Sequence, residues 1–284
     1  MASISARSVP FPALPDALRA RFGIAALRLR AYGTEAADLD IDFGDPDLLS
    51  LELEILAGCT RAESDAPIPP EFFASLEVSK RTEALLMLAA VSGAPLIEIR
   101  LRCSRAACHE AMEVELSVEE LRELQRAAEA EGRVATAIGG ERILFRRPTG
   151  LDQTAWQRRL YADQESAARA IAESLVVEEF RLAFRRLTAY DRAWPDRLNR
   201  TMHDGDPLVD FRMQVTCPFC GTQAGYTVNL IETVIRRLRG IQQTLADMVH
   251  RLALRYHWSE AEIFAVAPWR RDKYLALIDR DDSL

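Results

Sequence analysis

Two pairs of cysteines, each set at a turn between alternating segments, constrain this chain more than any other feature. Leu96-Ile97-Glu98-Ile99-Arg100-Leu101-Arg102 alternates at the period of a strand and runs into Cys103-Ser104-Arg105-Ala106-Ala107-Cys108. Ala111 to Leu116 alternates back, and Ser117-Val118-Glu119-Glu120 has the spacing of a capping box that opens a helix. The same order returns later in the chain. Val209, Phe211, Met213 and Val215 lead into Cys217-Pro218-Phe219-Cys220-Gly221, Ala224 to Leu230 forms the return strand, and a long helix starts near Ile231. A strand that turns through C-x2-C-G and comes back as a strand can aim backbone amides at two thiolates, with Gly221 taking the positive φ of the turn. Two such turns supply four thiolates, Cys103, Cys108, Cys217 and Cys220. That set suits one tetrahedral structural zinc and leaves no open position for water. The long insertion between the turns is tolerable because loop-closure cost grows slowly with length.

Three other readings of these thiols stay open at this level. They are ordinary buried small residues, a redox dithiol at CPFC, or a degenerate site without metal. The redox reading requires a thiol at a helix N-terminus, whereas the pattern after Gly221 is that of a strand. Cys59 has no paired neighbour and reads as a packed thiol.

The rest of the chain is expected to be α+β: zinc-ribbon-like paired β-hairpins with a long insertion, packed with α-helices and a C-terminal helical segment. Residues 1–15 read as a flexible arm, 16–70 as an acidic N-terminal segment, 71–230 as helices plus the two cysteine hairpins, and 231–284 as the C-terminal helical segment. Within 16–70 a short helix and a strand are expected between Asp16 and Arg30, and Asp38 to Phe43 alternates like a strand with one wet face. Its aspartates lack the glycine and glutamate of a calcium loop. A helix is expected over 71–91 with a break near Ser79, and a hairpin from Thr136 to Arg146 turning at Gly139-Gly140. Helices are expected between Asp152 and Ala193, and an exposed loop around His203.

Composition excludes several functions. A formal charge of −7 argues against a chain whose main task is neutralising nucleic-acid phosphates. The longest apolar stretch, Ala84 to Val91, is far short of the roughly 20 residues of a membrane span. No phosphate loop, nucleophile elbow or HExxH occurs, so the reading is not an enzyme. With no signal-peptide pattern and thiols that persist in reducing surroundings, the expected compartment is the cytoplasm.

From Ile231 to His257 the pattern is an amphipathic helix, with Arg236, Arg237 and Arg239 on its first half. Ser259-Glu260-Ala261-Glu262 is a further capping box. The run HRLALRYHWSEAEIFAVAPWRRDKYLALI, following the CPFCG hairpin and DPLVDF, resembles the contractile-tail baseplate hub assembly family of T-even-type phages. The resemblance covers residues 80–280 and is most specific at Tyr256, Trp258, Ser259, Glu260, Glu262, Ile263, Arg270, Arg271, Tyr274 and Leu275, with Cys217, Cys220 and Gly221. It departs at the first turn, where CSRAAC stands in place of a tighter CPxCG form.

The resemblance implies a non-enzymatic assembly or structural protein of a phage tail or related injection machine. Its partners would be other baseplate, hub or wedge proteins, with no small-molecule substrate and no membrane. Trp258, Trp269, Arg270, Arg271 and Tyr274 are the candidate partner-binding residues, aromatics and arginines being the usual interface anchors. The alternative is a zinc-ribbon adaptor that contacts nucleic acid through the Arg236-Arg237 cluster.

Overall fold

The structure, a computed structural model, describes residues 8–62, 68–130 and 133–282. It is α+β, with helices dominating and four small antiparallel sheets among the described residues. The strands are β1 (Ser8–Pro10), β2 (Leu27–Arg30), β3 (Thr60–Ala62), β4 (Leu96–Arg102), β5 (Ala111–Ser117), β6 (Val134–Ile138), β7 (Glu141–Phe145), β8 (Phe211–Thr216) and β9 (Gln223–Val228). The helices are α1 (Asp16–Phe22), α2 (Leu48–Cys59), α3 (Pro70–Ser75), α4 (Val78–Val91), α5 (Val118–Ala130), α6 (Gly150–Gln157), α7 (Gln164–Leu175), α8 (Arg181–Thr188), α9 (Trp194–Gly205), α10 (Leu230–Tyr256), α11 (Glu260–Ala265) and α12 (Pro268–Asp282).

The chain divides into two compact units, and the division differs from the four consecutive segments expected. Residues 1–68, 87–94 and 232–284 form the first, residues 69–86 and 95–231 the second. The acidic N-terminal segment and the C-terminal helices are therefore parts of one unit rather than two.

In the first unit β2 is the central strand, paired with β1 through Val9 opposite Leu29 and with β3 through Leu29 opposite Thr60. The expected arm over 1–15 is corrected from Ser8 onward. Ser8–Pro10 pairs with β2, the Phe11 amide donates to the Leu27 carbonyl at 2.9 Å, and the Phe11 side chain is buried. Residues 1–7 lie outside the described residues.

The expected strand at Asp38 to Phe43 is also corrected. Ala36–Leu39 is a single 3-10 turn, and Asp38 points inward, only 1% exposed. Its carboxylate takes two bonds from the Arg30 guanidinium, at 2.8 and 2.6 Å, and accepts the backbone amides of Gly33, Thr34 and Glu35. Five donors on one carboxylate outweigh the alternation, because a strand would take from that buried guanidinium its buried counter-ion and leave only the more exposed Glu35. From α10, the Gln242 amide nitrogen reaches the carbonyls of Asp38, Leu39 and Ile41 at 3.0, 3.2 and 2.8 Å.

The core of the second unit is built on the β6–β7 hairpin, which turns at Gly139-Gly140 as the sequence predicts. Val134, Ile138, Ile143 and Phe145 pack with Leu175, Phe184, Trp194 and Leu198 from α7, α8 and α9. Phe184 stands edge-on to both Phe145 and Trp194. The helix expected over 71–91 breaks earlier than Ser79, between α3 and α4, where Glu77 bridges to Thr149. Arg81, fully buried, donates to the Leu76 carbonyl at 3.0 Å and to Gln153. Gly150 is required beneath it: a Cβ there would lie 2.7 Å from the Arg81 guanidinium and 2.9 Å from the Ala74 carbonyl oxygen.

The expected loop around His203 is helix instead. Pro195 sits in the first turn of α9, where its missing N–H costs nothing, and Trp194 and Leu198 anchor the helix in the core. His203 Nδ1 lies 2.8 Å from the Asp210 carbonyl oxygen.

At the end of α9, Asp206 is 3% exposed and accepts from Gln125 at 3.0 Å, with Arg147 3.7 Å away. Burial pushes its carboxyl up to about 6. The folded chain thus holds this proton more tightly than the unfolded chain, and stability contributed here falls as pH rises from about 4 through 6. Asp206→Asn is expected to remove about 1 kcal/mol of the stability the parent gains between pH 7 and 5. Urea unfolding at the two pH values measures it, and an unchanged pH dependence would refute the assignment.

Candidate metal centre

The two cysteine turns sit at the tips of matching hairpins. In the first, β4 and β5 pair from Leu96 opposite Ser117 to Arg102 opposite Ala111; in the second, β8 and β9 pair from Phe211 opposite Val228 to Thr216 opposite Gln223. Alternation gives each hairpin one apolar face, which carries Ile97, Ile99 and Met112 in the first. The strands feeding the turns end alike. The Cys103 amide donates to the Glu110 carbonyl and the Cys217 amide to the Thr222 carbonyl, both at 2.9 Å.

Each turn then folds back on itself. The His109 amide donates to the Arg105 carbonyl at 3.0 Å, and the Gly221 amide to the Cys217 carbonyl at 2.9 Å. The residue after the second cysteine is left-handed in both, Gly221 at φ 71° and His109 at φ 48°. A left-handed glycine is legible from C-x2-C-G; a histidine in that conformation carries no such signal. His109 is exposed, and its role here is backbone geometry.

These turns bring the four predicted thiols together. All four sulfurs lie within 4.8 Å of one another. Cys103 Sγ is 3.6 Å from Cys220 Sγ, and Cys108 Sγ is 3.9 Å from Cys217 Sγ. A tetrahedron of thiolates at metal–sulfur bonds of about 2.3 Å has sulfur–sulfur edges of about 3.8 Å. The two facing contacts match those edges, and both are far outside the roughly 2.05 Å of a disulfide. The four cysteines are free thiols that could bind a metal ion. Around them pack Leu101, Met112, Val215 and Tyr226, and the Tyr226 hydroxyl donates to the Arg102 carbonyl at 3.0 Å, tying one hairpin to the other.

Charge is unevenly spread over the sulfurs. The Thr222 hydroxyl, 3.3 Å from Cys220 Sγ, and the Thr222 amide favour the Cys220 thiolate and bring that thiol down to about 6. Cys103 receives the Arg105 amide, yet burial and the three neighbouring sulfurs push it up to about 12; Cys108 receives the Glu110 amide and is raised by burial, Cys220 and Cys217. A bound cation would offset the cost of ionising the raised thiols Cys103 and Cys108. Thr222 and Tyr226 were not singled out in the sequence, because their roles depend on which hairpin faces which. Cys59 is fully buried in the other unit, and burial pushes its thiol up to about 12.

The chain matches no family model, no curated protein and no solved structure. Among the described residues no helix is long and apolar enough to cross a membrane.

The candidate partner-binding residues, all in the first unit, have different fates. Ser259 caps α11 in the predicted box, its hydroxyl accepting from the Glu262 amide while the Glu262 carboxylate accepts from the Ser259 amide. His257, at φ 57°, closes the C-terminus of α10. Between these caps, Trp258 stacks on Tyr256 at 4.9 Å between centroids and stands edge-on to Tyr274 at 5.2 Å. With Leu252, Ile263 and Ile278 they form the local core, so Trp258 and Tyr274 staple their own helices. Trp269 is 50% exposed, and Arg270 is exposed.

Arg271 is corrected: it is 4% exposed and unavailable to a partner. Its guanidinium lies over the Phe264 ring at 5.3 Å and against Met248 Sδ at 4.0 Å, and Nε is buried without a hydrogen bond. Burial lowers its pKa accordingly. A buried cation held by a ring and a thioether costs desolvation, and Asp272 offsets it only in part, since burial still lowers the Arg271 pKa. Arg271→Met is therefore expected to stabilise the chain, by about 1 kcal/mol or more. A lower melting temperature in this variant would show that the guanidinium contributes net stability.

Proposed function

We propose that this chain is a non-enzymatic assembly or structural protein of a contractile-tail baseplate or hub, braced by one structural zinc on Cys103, Cys108, Cys217 and Cys220. The observation that carries the reading is the closure of the four sulfurs at the tips of two hairpins that lie far apart in sequence. Four thiolates saturate a tetrahedral ion, which then supplies cross-linking and charge neutralisation and leaves no position for a reacting water. Soft sulfur ligands in tetrahedral array favour zinc among common ions. The protein's own contribution is a fixed shape: Tyr226 and the apolar faces align the hairpins, and the Thr222 hydroxyl lies 3.3 Å from Cys220 Sγ.

The assignment to a tail baseplate rests on the C-terminal resemblance, with the capped Ser259 and the aromatic staple as its supports. On this reading the protein works in the bacterial cytoplasm during assembly, and exposed Trp269 and Arg270 are its anchors for hub or wedge proteins. Co-purification with tail hub or wedge proteins is the expected result. Normally assembled tails in a clean deletion would overturn it.

A second reading, an adaptor contacting nucleic acid, is favoured only by Arg236, Arg237 and Arg239, which are exposed together on α10. It requires binding that weakens steeply across a salt series.

A further inference from the structure

We propose that the four cysteines form a brace with two interchangeable fastenings: a metal ion under reducing conditions, and the two disulfides Cys103–Cys220 and Cys108–Cys217 when a hydroperoxide oxidises the metal-free cluster. The inference rests on reading the cluster as a metal brace and adds which sulfurs join and what that does.

Within a cluster whose sulfurs all lie within 4.8 Å of one another, two contacts, 3.6 Å and 3.9 Å, run from one hairpin to the other. Each joins a buried sulfur to a partly exposed one: Cys103 and Cys217 are 2% exposed, whereas Cys108 and Cys220 reach the surface. An oxidant from solvent therefore meets Cys220 or Cys108 first. The sulfur attacks one peroxide oxygen, the O–O bond breaks, and the departing hydroxide takes a proton to leave as water. The resulting sulfenic acid is then attacked by the sulfur facing it on the opposite hairpin; the S–S bond forms, the S–O bond breaks, and a second water leaves. Each disulfide costs its two thiols two electrons and two protons, and one hydrogen peroxide is reduced to two waters.

The consequence follows from where the bonds run. A disulfide within one turn would close a loop of a few residues and leave the hairpins separable. These disulfides join positions 117 and 109 residues apart and hold the hairpins as the metal does. The brace would thus persist when the protein passes from a reducing to an oxidising medium, where thiolates lose their metal.

The test uses the full chain, stripped of metal by chelation under reducing conditions, freed of chelator and reductant, and treated with hydrogen peroxide. The remaining thiols are then alkylated, and linked peptides are identified by mass spectrometry. The expected products are Cys103–Cys220 and Cys108–Cys217, together with a melting temperature restored to within a few degrees of the zinc-loaded chain. Dominant Cys103–Cys108 and Cys217–Cys220 products, or an oxidised chain that melts like the reduced metal-free one, would overturn the proposal. The Cys108→Ser/Cys217→Ser variant, which retains only one facing pair, must still form the Cys103–Cys220 link, and failure to do so counts equally against it. Zinc content before treatment separates the two ideas. A chain that takes up one zinc but, once stripped, oxidises within its turns sinks this inference alone, whereas a chain that takes up no zinc sinks the metal reading.

Discussion

Cys217→Ser is expected to abolish stoichiometric zinc binding and to lower the melting temperature by about 10 °C under reducing conditions. Cys217 is one of the two buried sulfurs of the cluster, and its backbone amide and carbonyl also close the turn through Thr222 and Gly221. Serine preserves those backbone bonds, so the change isolates the ligand. A site filled at about 1,000 times its dissociation constant contributes about 4 kcal/mol. At about 2–4 °C per kcal/mol for a chain of this size, that is roughly 10 °C. Metal content by mass spectrometry of the native protein and a thermal melt measure both consequences. Cys59→Ala is the control: that thiol is buried in the other unit and should leave zinc content at about one per chain. Equal zinc in parent and Cys217→Ser would remove Cys217 from the site.

Asp38→Ala is expected to cost about 3–5 kcal/mol, the usual penalty for removing one partner of a buried ion pair. The loss exceeds a single contact because it exposes two deficits at once. The Arg30 guanidinium, itself buried, loses both of its bonds to the carboxylate, and the amides of Gly33, Thr34 and Glu35 lose a shared acceptor. Arg30→Met should cost less, since the carboxylate keeps its three amides. The double variant should be more stable than the sum of the two single losses predicts, because the buried cation left with Glu35 as its ion-pair partner is gone. Denaturant unfolding of the four proteins gives the coupling energy, and strict additivity would show that the pair is not a unit.

Both sites show where sequence reasoning succeeds and where it stops. The cysteine hairpins were legible because their signals are local: alternation sets each strand, C-x2-C-G sets a turn, and Ser117 and Ser259 mark helix starts. Asp38 was misread for the opposite reason. Asp38-Leu39-Asp40-Ile41-Asp42-Phe43 has a strand's alternation, but its conformation is decided by Arg30, eight positions earlier, and by Gln242 on α10. The helix containing His203 was missed because Gly205 and Pro207 resemble loop punctuation, while Trp194 and Leu198, which anchor that helix, lie upstream. Arg271 resembled an interface anchor by residue type, and only packing against Phe264 and Met248 shows that it is interior.

What the sequence determined alone is the set of elements that carry the thiols and the identity of the four sulfurs, because hairpin alternation and knuckle spacing are short-range properties. The tertiary structure decided which sulfurs face one another, that a histidine can take glycine's place after Cys108, and that the first and last parts of the chain form one unit. The first and last of those outcomes depend on contacts between residues far apart in sequence, where no local pattern carries information and only the burial of matching faces selects the arrangement.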